Sequence, residues 1–307
     1  MKRGVDTSMK LGVTSFDHHF IPRLYLKGFC RSDGTFDVYD KQYGEFKKTP
    51  QSPATAFFEK GKNTIKFRGQ RTDHIEKQYS ELESSFGQLF NLIRGGISSD
   101  TLFNSEGVYL LKRYMAIQFW RLPRFDEYAD QYLRARTLTE IEHLCTVTEP
   151  PMPSQKTFEL IQSDAGFRHY FRCFILPLCT FNLNRHIPNA MKWIILDVER
   201  PNEWSNHLCC DAPFIFGSPE SLLKFSGSFI FPLSNSKLLV SKPQTNTTSS
   251  FDPIMSTKIS ILFYLQARRY VATSNRGYLE KIIEFSESYT GMAGIMQLQS
   301  EVLAYVE

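Results

Sequence analysis

Apolar positions along this chain follow two periods, and the switch between them marks its elements. From Arg71 to Arg94, Ile75, Tyr79, Leu82, Phe86, Leu89 and Ile93 step by four, three, four, three and four. That spacing lays one apolar stripe along an α-helix. Asp73 with Glu76 has the pattern of a capping box, and Gly95-Gly96 supplies the stop. A second stripe, Val108, Leu111, Met115, Phe119 and Leu122, predicts a helix over about 105–122. Pro123 breaks or kinks it, and residues 125–147 continue helically. Further helices are expected from Thr157 to about Cys179, over about 254–274 and over 276–289.

Elsewhere the pattern shortens. Thr35 to Lys48 alternates around Gly44 and predicts a β-hairpin, with more strand within 54–67. Trp193–Val198, His207–Phe216, Ser228–Leu233 and Lys237–Val240 read as short strands between turn residues. Pro22 suits the first turn of a short helix on which Leu24, Tyr25 and Phe29 share a face. Pro150–Ser154 reads as a linker, 243–253 as an exposed loop and 1–15 as a flexible polar start. The predicted class is α+β, mostly helical with small antiparallel β-sheet elements. It is read as one domain over 16–290 with two lobes, 16–149 and 155–307.

Composition narrows the possibilities. A 42% hydrophobic content over 307 residues supports a sizeable core, and 26 Phe make it Phe-rich. A net charge of +4 is too mild for a nucleic-acid coat and leaves room only for a local basic patch. The six cysteines form no C-x-x-C pair and no zinc motif. With no signal-peptide h-region at the start, reduced thiols and a cytoplasmic location are expected. Runs such as Trp193–Leu196 are too short to span a bilayer, so no membrane partner is expected.

Chemistry concentrates in three places. Imidazole titrates near neutral pH and ligates metals, which makes His18-His19 the first candidate. Adjacent residues point in different directions, so one would face a cleft and the other support it. The plainer alternative is that both brace the turn before Pro22. Gln118, Arg121 and Arg124 form the second group, an amide with two guanidiniums suited to gripping a phosphate or carboxylate. Its alternative is a solvated face paired with Asp126 or Glu127. Asp211, at the end of an apolar run, is either a catalytic carboxylate or the start of an Asx-turn before Pro213. Glu76 and Glu83 flank the first helical stripe, but Glu76 is assigned to the cap and paired-carboxylate catalysis is set aside. The other histidines show no metal-ligand spacing, and no P-loop, dinucleotide, G-x-S-x-G or H-E-x-x-H motif occurs.

The run His18-His19-x-Ile21-Pro22-x-x-Tyr25-Leu26-x-x-Phe29 resembles the opening signature of the bacterial family called domain of unknown function 4238. The resemblance continues through Val38-Tyr39-Asp40, the helix at 75–93, Gln118-x-x-Arg121-x-Pro123, Asp211-Ala212-Pro213, Phe231-Pro232-Leu233-Ser234 and a tail helix ending in Ala267-Arg268-Arg269-Tyr270-Val271. It covers about residues 17–290. Cys210 departs from the family's Ser before the Asp, and Leu262-Phe263-Tyr264 lacks an Asn often seen in the late helix. The resemblance implies no activity, but it implies that His18, His19, Gln118, Arg121 and Asp211 belong together.

The expected function is therefore a metal-assisted phosphoesterase or nuclease acting on nucleic acid or a nucleotide. His18, His19 and Asp211 would be catalytic, with Mg or Mn held by His19 and Asp211. Gln118, Arg121 and Arg124 would bind the substrate. The alternative is a non-catalytic sensing or interaction module with a protein partner in a bacterial defence or stress pathway, phage defence included.

Overall fold

The computed structural model describes residues 16–67, 70–146, 154–197, 206–246 and 251–307. It opens with β1 (Asp17–His19), α1 (Arg23–Leu26) and a 3-10 turn (Lys27–Phe29). Five short strands follow: β2 (Asp37–Asp40), β3 (Glu45–Phe46), β4 (Phe58–Lys60), β5 (Ile65–Phe67) and β6 (Gln70–Thr72). Pro22 stands immediately before α1, its ring fixing φ at −58° for entry to the helix. The β2–β3 hairpin turns at Gly44, as its alternation predicts.

The long helices come next: α2 (His74–Arg94), α3 (Ser99–Leu102) and α4 (Ser105–Arg121). The predicted stripe of α2 is buried except for the half-buried Leu82. Its predicted capping box does not form, because the Asp73 side chain makes no cap bond. Glu76 instead accepts a hydrogen bond from Asn63 Nδ2. At the far end Gly96, at φ +82°, turns the chain away. α4 begins at Asn104, whose Oδ1 accepts from the N–H groups of Glu106 and Gly107. It stops at Arg121 because Pro123 has no N–H to offer and holds Leu122 extended.

Gly107 packs so closely that an added Cβ would lie 1.8 Å from the Leu102 carbonyl oxygen. Backbone cannot yield as a side chain does, so Gly107→Ala is expected to cost about 2 kcal/mol despite alanine's better helix propensity. Urea unfolding of the variant checks this, and unchanged stability would contradict it.

Past a 3-10 turn (Pro123–Phe125) lie α5 (Asp126–Arg134), α6 (Leu138–Cys145), α7 (Ser154–Ser163), α8 (Ala165–Phe174) and α9 (Leu176–Cys179). The helix expected over 157–179 is thus three. Asp164 restarts the chain by accepting from Phe167 N–H, and Pro177 opens α9. The C-terminal part comprises β7 (Met191–Asp197), β8 (Cys209–Cys210), β9 (Ile215–Phe216), α10 (Pro219–Lys224), β10 (Phe229–Pro232), β11 (Lys237–Pro243), α11 (Pro253–Gln266), β12 (Tyr270–Thr273), α12 (Arg276–Ser286) and α13 (Gly291–Val306). Two expectations are corrected here: the helix predicted to reach 274 ends at Gln266, and Tyr270–Thr273 is strand. α10 and α13 were not expected. Residues 1–15, 247–250 of the expected loop and Pro150–Pro153 of the expected linker lie outside the described residues.

All strand pairing is antiparallel, and the fold is α+β. Two four-stranded sheets, β7-β11-β10-β9 and β3-β2-β12-β8, accompany the pairs β1-β4 and β5-β6. The central strands separate two apolar clusters. Phe229 and Phe231 of β10, Leu239 of β11 and Cys209 of β8 face the cluster built on α2, α4 and α8. Ile230, Leu238, Val240 and Cys210 face the one under α11, α12 and α13. Burial on both faces explains why these strands read as continuous apolar runs. The first cluster draws residues from both sides of position 150. All six cysteines are free. Among the described residues, no helix is long and apolar enough to cross a membrane.

Candidate cleft between the first strand and the second helix

Asp73, just before α2, and the polar α2 residues at 76, 77, 80 and 83 recur at helical spacing beside the apolar stripe. They form one wall of a cleft of about 240 Å³. Asp17 and His19 of β1, Arg23 of α1 and Arg121 at the end of α4 form the rest. β1 is held in place by its register with β4, which sets His19 opposite Phe58 with ring centroids 5.6 Å apart.

His19 is only 5% exposed, and its Nε2 has no hydrogen-bond partner. Burial, reinforced by the positive charges of Arg23 and Arg121, lowers its pKa to about 4. The carbonyls of Ala54 and Asp17 pull the other way. The ring is therefore neutral at neutral pH. Arg121 is 4% exposed, lies over the Tyr79 ring at 4.1 Å and donates from Nη1 to Glu83 Oε1 at 2.5 Å. Its Nε has no partner. Burial opposes its charge, but Glu83 and Glu76 outweigh that and raise its pKa. Across the cleft, Lys77 pairs with Asp73 at 2.7 Å.

The other predicted residues stand elsewhere. His18 is buried behind the cleft, its Nδ1 accepting from Asn63 N–H at 2.8 Å. Gln118 is buried and donates to the Phe20 carbonyl at 3.0 Å, tying α4 to the segment after β1. Asp211 follows β8, and its two oxygens accept the main-chain N–H groups of Arg268, Arg269 and Tyr270 at 2.7–3.0 Å. Burial raises its pKa in spite of these bonds. Arg124 lies beyond the break at Pro123 and lines a different groove from Arg121. The expected five-residue grouping thus resolves into two cleft residues, His19 and Arg121, and three that hold main chain in place.

The divalent-ion reading needed His19 and Asp211 to share an ion. Asp211 lines a separate cavity with Lys41, Arg268 and Arg269, and both its oxygens are engaged. Among the described residues, no group of three His, Cys, Asp or Glu is placed to hold a metal. His19 and Asp211 thus line different cavities. Missed from sequence were Asp17, Arg23 and Asn63, the last buried between His18, Glu76 and His169; Glu83 was noticed beside the helical stripe but set aside. The helical spacing of residues 73–83 was the available signal, and the supposed capping box concealed it.

A family model described as "protein of unknown function (DUF4238)" matches residues 17–277. No curated protein and no solved structure matches the chain.

Proposed function

The chain belongs to the DUF4238 family of proteins of unknown function, and from that premise we propose that it is a cytoplasmic phosphoester hydrolase whose reaction takes place in the His19 cleft. The observation that carries this is a neutral imidazole with an unpartnered Nε2 beside a buried, charged guanidinium in one cleft. With the ring proton on Nδ1, Nε2 takes a proton from the water that attacks phosphorus as the P–O bond to the leaving group breaks. The imidazolium then gives that proton to the departing oxygen, and Arg121 offsets the charge that grows on the phosphoryl oxygens. An imidazole at pKa 4 is a weak base. A bound phosphate supplies negative charge that opposes Arg23 and Arg121 and brings the base toward its working range.

The cleft's charges select among substrates. Asp17, Asp73, Glu76 and Glu83 accompany Arg23, Lys77 and Arg121, so a polyanion meets repulsion along most of its length. One phosphate at Arg121, with hydroxyl or amino groups donating to the carboxylates, suits the cleft better. Mononucleotides are therefore favoured over nucleic acid. His19→Gln is expected to lower kcat/KM for nucleotide or bis-p-nitrophenyl phosphate hydrolysis at least about a hundredfold with the fold intact by circular dichroism. Unchanged activity in the folded variant would sink the proposal.

A second reading, a sensing module with a protein partner, is favoured by the buried, hydrogen-bonded state of His18, Gln118 and Asp211. It predicts saturable nucleotide binding without turnover.

A further inference from the structure

On the other side of the Pro123 break lies a groove of about 780 Å³, within the range that small ligands occupy. One wall is apolar: Phe214 and Phe216 stand beside Met292 and Met296 of α13. The two methionines, four residues apart on one helix face, are 73% and 63% exposed. Arg124 and Arg268 stand at the same groove, exposed to solvent. Among the described residues neither forms an ion pair or donates a side-chain hydrogen bond. Of the groove's two carboxylates, Asp126 is bound by Arg172 and Lys62, and Glu127 accepts from the neutral Gln131 amide and pairs with neither arginine.

We propose that this groove binds a small amphipathic anion, an apolar chain or ring carrying a single carboxylate or phosphate. Two guanidiniums without a carboxylate partner, Arg124 lying only over the Phe125 ring at 5.9 Å, call for a negative group, which they can hold bidentately. Methionine is flexible and polarisable, and phenylalanine offers a flat apolar surface, so the wall adapts to an apolar body. Exposed large apolar side chains grouped at a concave surface mark a binding site more often than chance. The groove shares no residue with the His19 cleft, so the inference stands apart from the proposed hydrolysis.

Calorimetric titration of the full chain with decanoate, decyl phosphate and decanol tests it. At least one anion is expected to bind saturably below about 1 mM, with decanol about tenfold weaker or more. The better of the two anions identifies the headgroup. Arg124→Gln with Arg268→Gln is expected to weaken the anion about tenfold or more and leave decanol unchanged. Met296→Glu is expected to weaken both anions. The substituted residues are exposed, and unchanged melting temperatures confirm folding; should the double variant misfold, Arg268→Gln alone gives the same reading. Absence of saturable binding, equal affinity for anion and alcohol, or an unchanged anion affinity in the arginine variants overturns the proposal.

Discussion

Asp211→Ala is expected to lower the free energy of unfolding by about 4 kcal/mol. The carboxylate accepts three consecutive main-chain N–H groups, those of Arg268, Arg269 and Tyr270. It thereby sets the corner where α11 gives way to β12, and β12 is a central strand between β2 and β8. Each buried donor left without an acceptor costs about 1–3 kcal/mol, less where water reaches it. Asp211→Asn retains one oxygen but presents an amide to N–H donors, so a loss of about 2–3 kcal/mol is expected. Urea unfolding measures both. Stability within 1 kcal/mol of wild type for the alanine variant would show that the corner does not depend on this carboxylate.

The same residue shows why part of the site was not legible. A carboxylate at the end of an apolar run looks alike whether it faces substrate or main chain. What decides is the return of residues 268–270, more than fifty positions later in the chain, and no local pattern encodes that. Tyr270–Thr273 was misread for a related reason. Arg268 to Val271 continues the helical texture of α11, but pairing with β2 from the opposite end of the chain overrides it. By contrast, α2 and α4 were legible because each carries one apolar stripe that the larger cluster buries. His19 and Arg121 were legible as chemistry, and they meet. Arg121 and Arg124 were read as a pair, yet Pro123 ends the helix between them and sends them into separate cavities. The alignment of Glu76 with Glu83 on α2 was visible, but assigning Glu76 to a cap set it aside, whereas Glu76 accepts from Asn63 and both carboxylates line the cleft.

Acid is expected to destabilise the fold through two histidines, by about 5 kcal/mol in total between pH 7 and pH 4. His207 is buried with an unpartnered Nε2, and burial lowers its pKa from 6.5 to about 3. His19 is lowered to about 4, first by burial and then by Arg23 and Arg121. In both cases the unfolded chain binds the proton more readily than the folded one. Their contribution is therefore fully present above pH 6.5 and is lost as pH falls toward the folded values. Each is worth about 2–3 kcal/mol over that window, with His19 at the lower end because its cleft opens to solvent. Asp126, held below the usual carboxylate range by Arg172 and Lys62 against burial, adds its own loss only at lower pH. Urea titrations at pH 7, 6, 5 and 4 on wild type, His207→Gln, His19→Gln and the double variant separate these contributions. The slope of stability against pH is expected to flatten in each single variant and to lose most of its remaining fall between pH 6.5 and 4 in the double variant. A slope that survives both substitutions would place the acid sensitivity in the carboxylates instead. Retention of the His207 contribution when His19 alone is replaced would show that the two sites titrate independently, as their separate surroundings require.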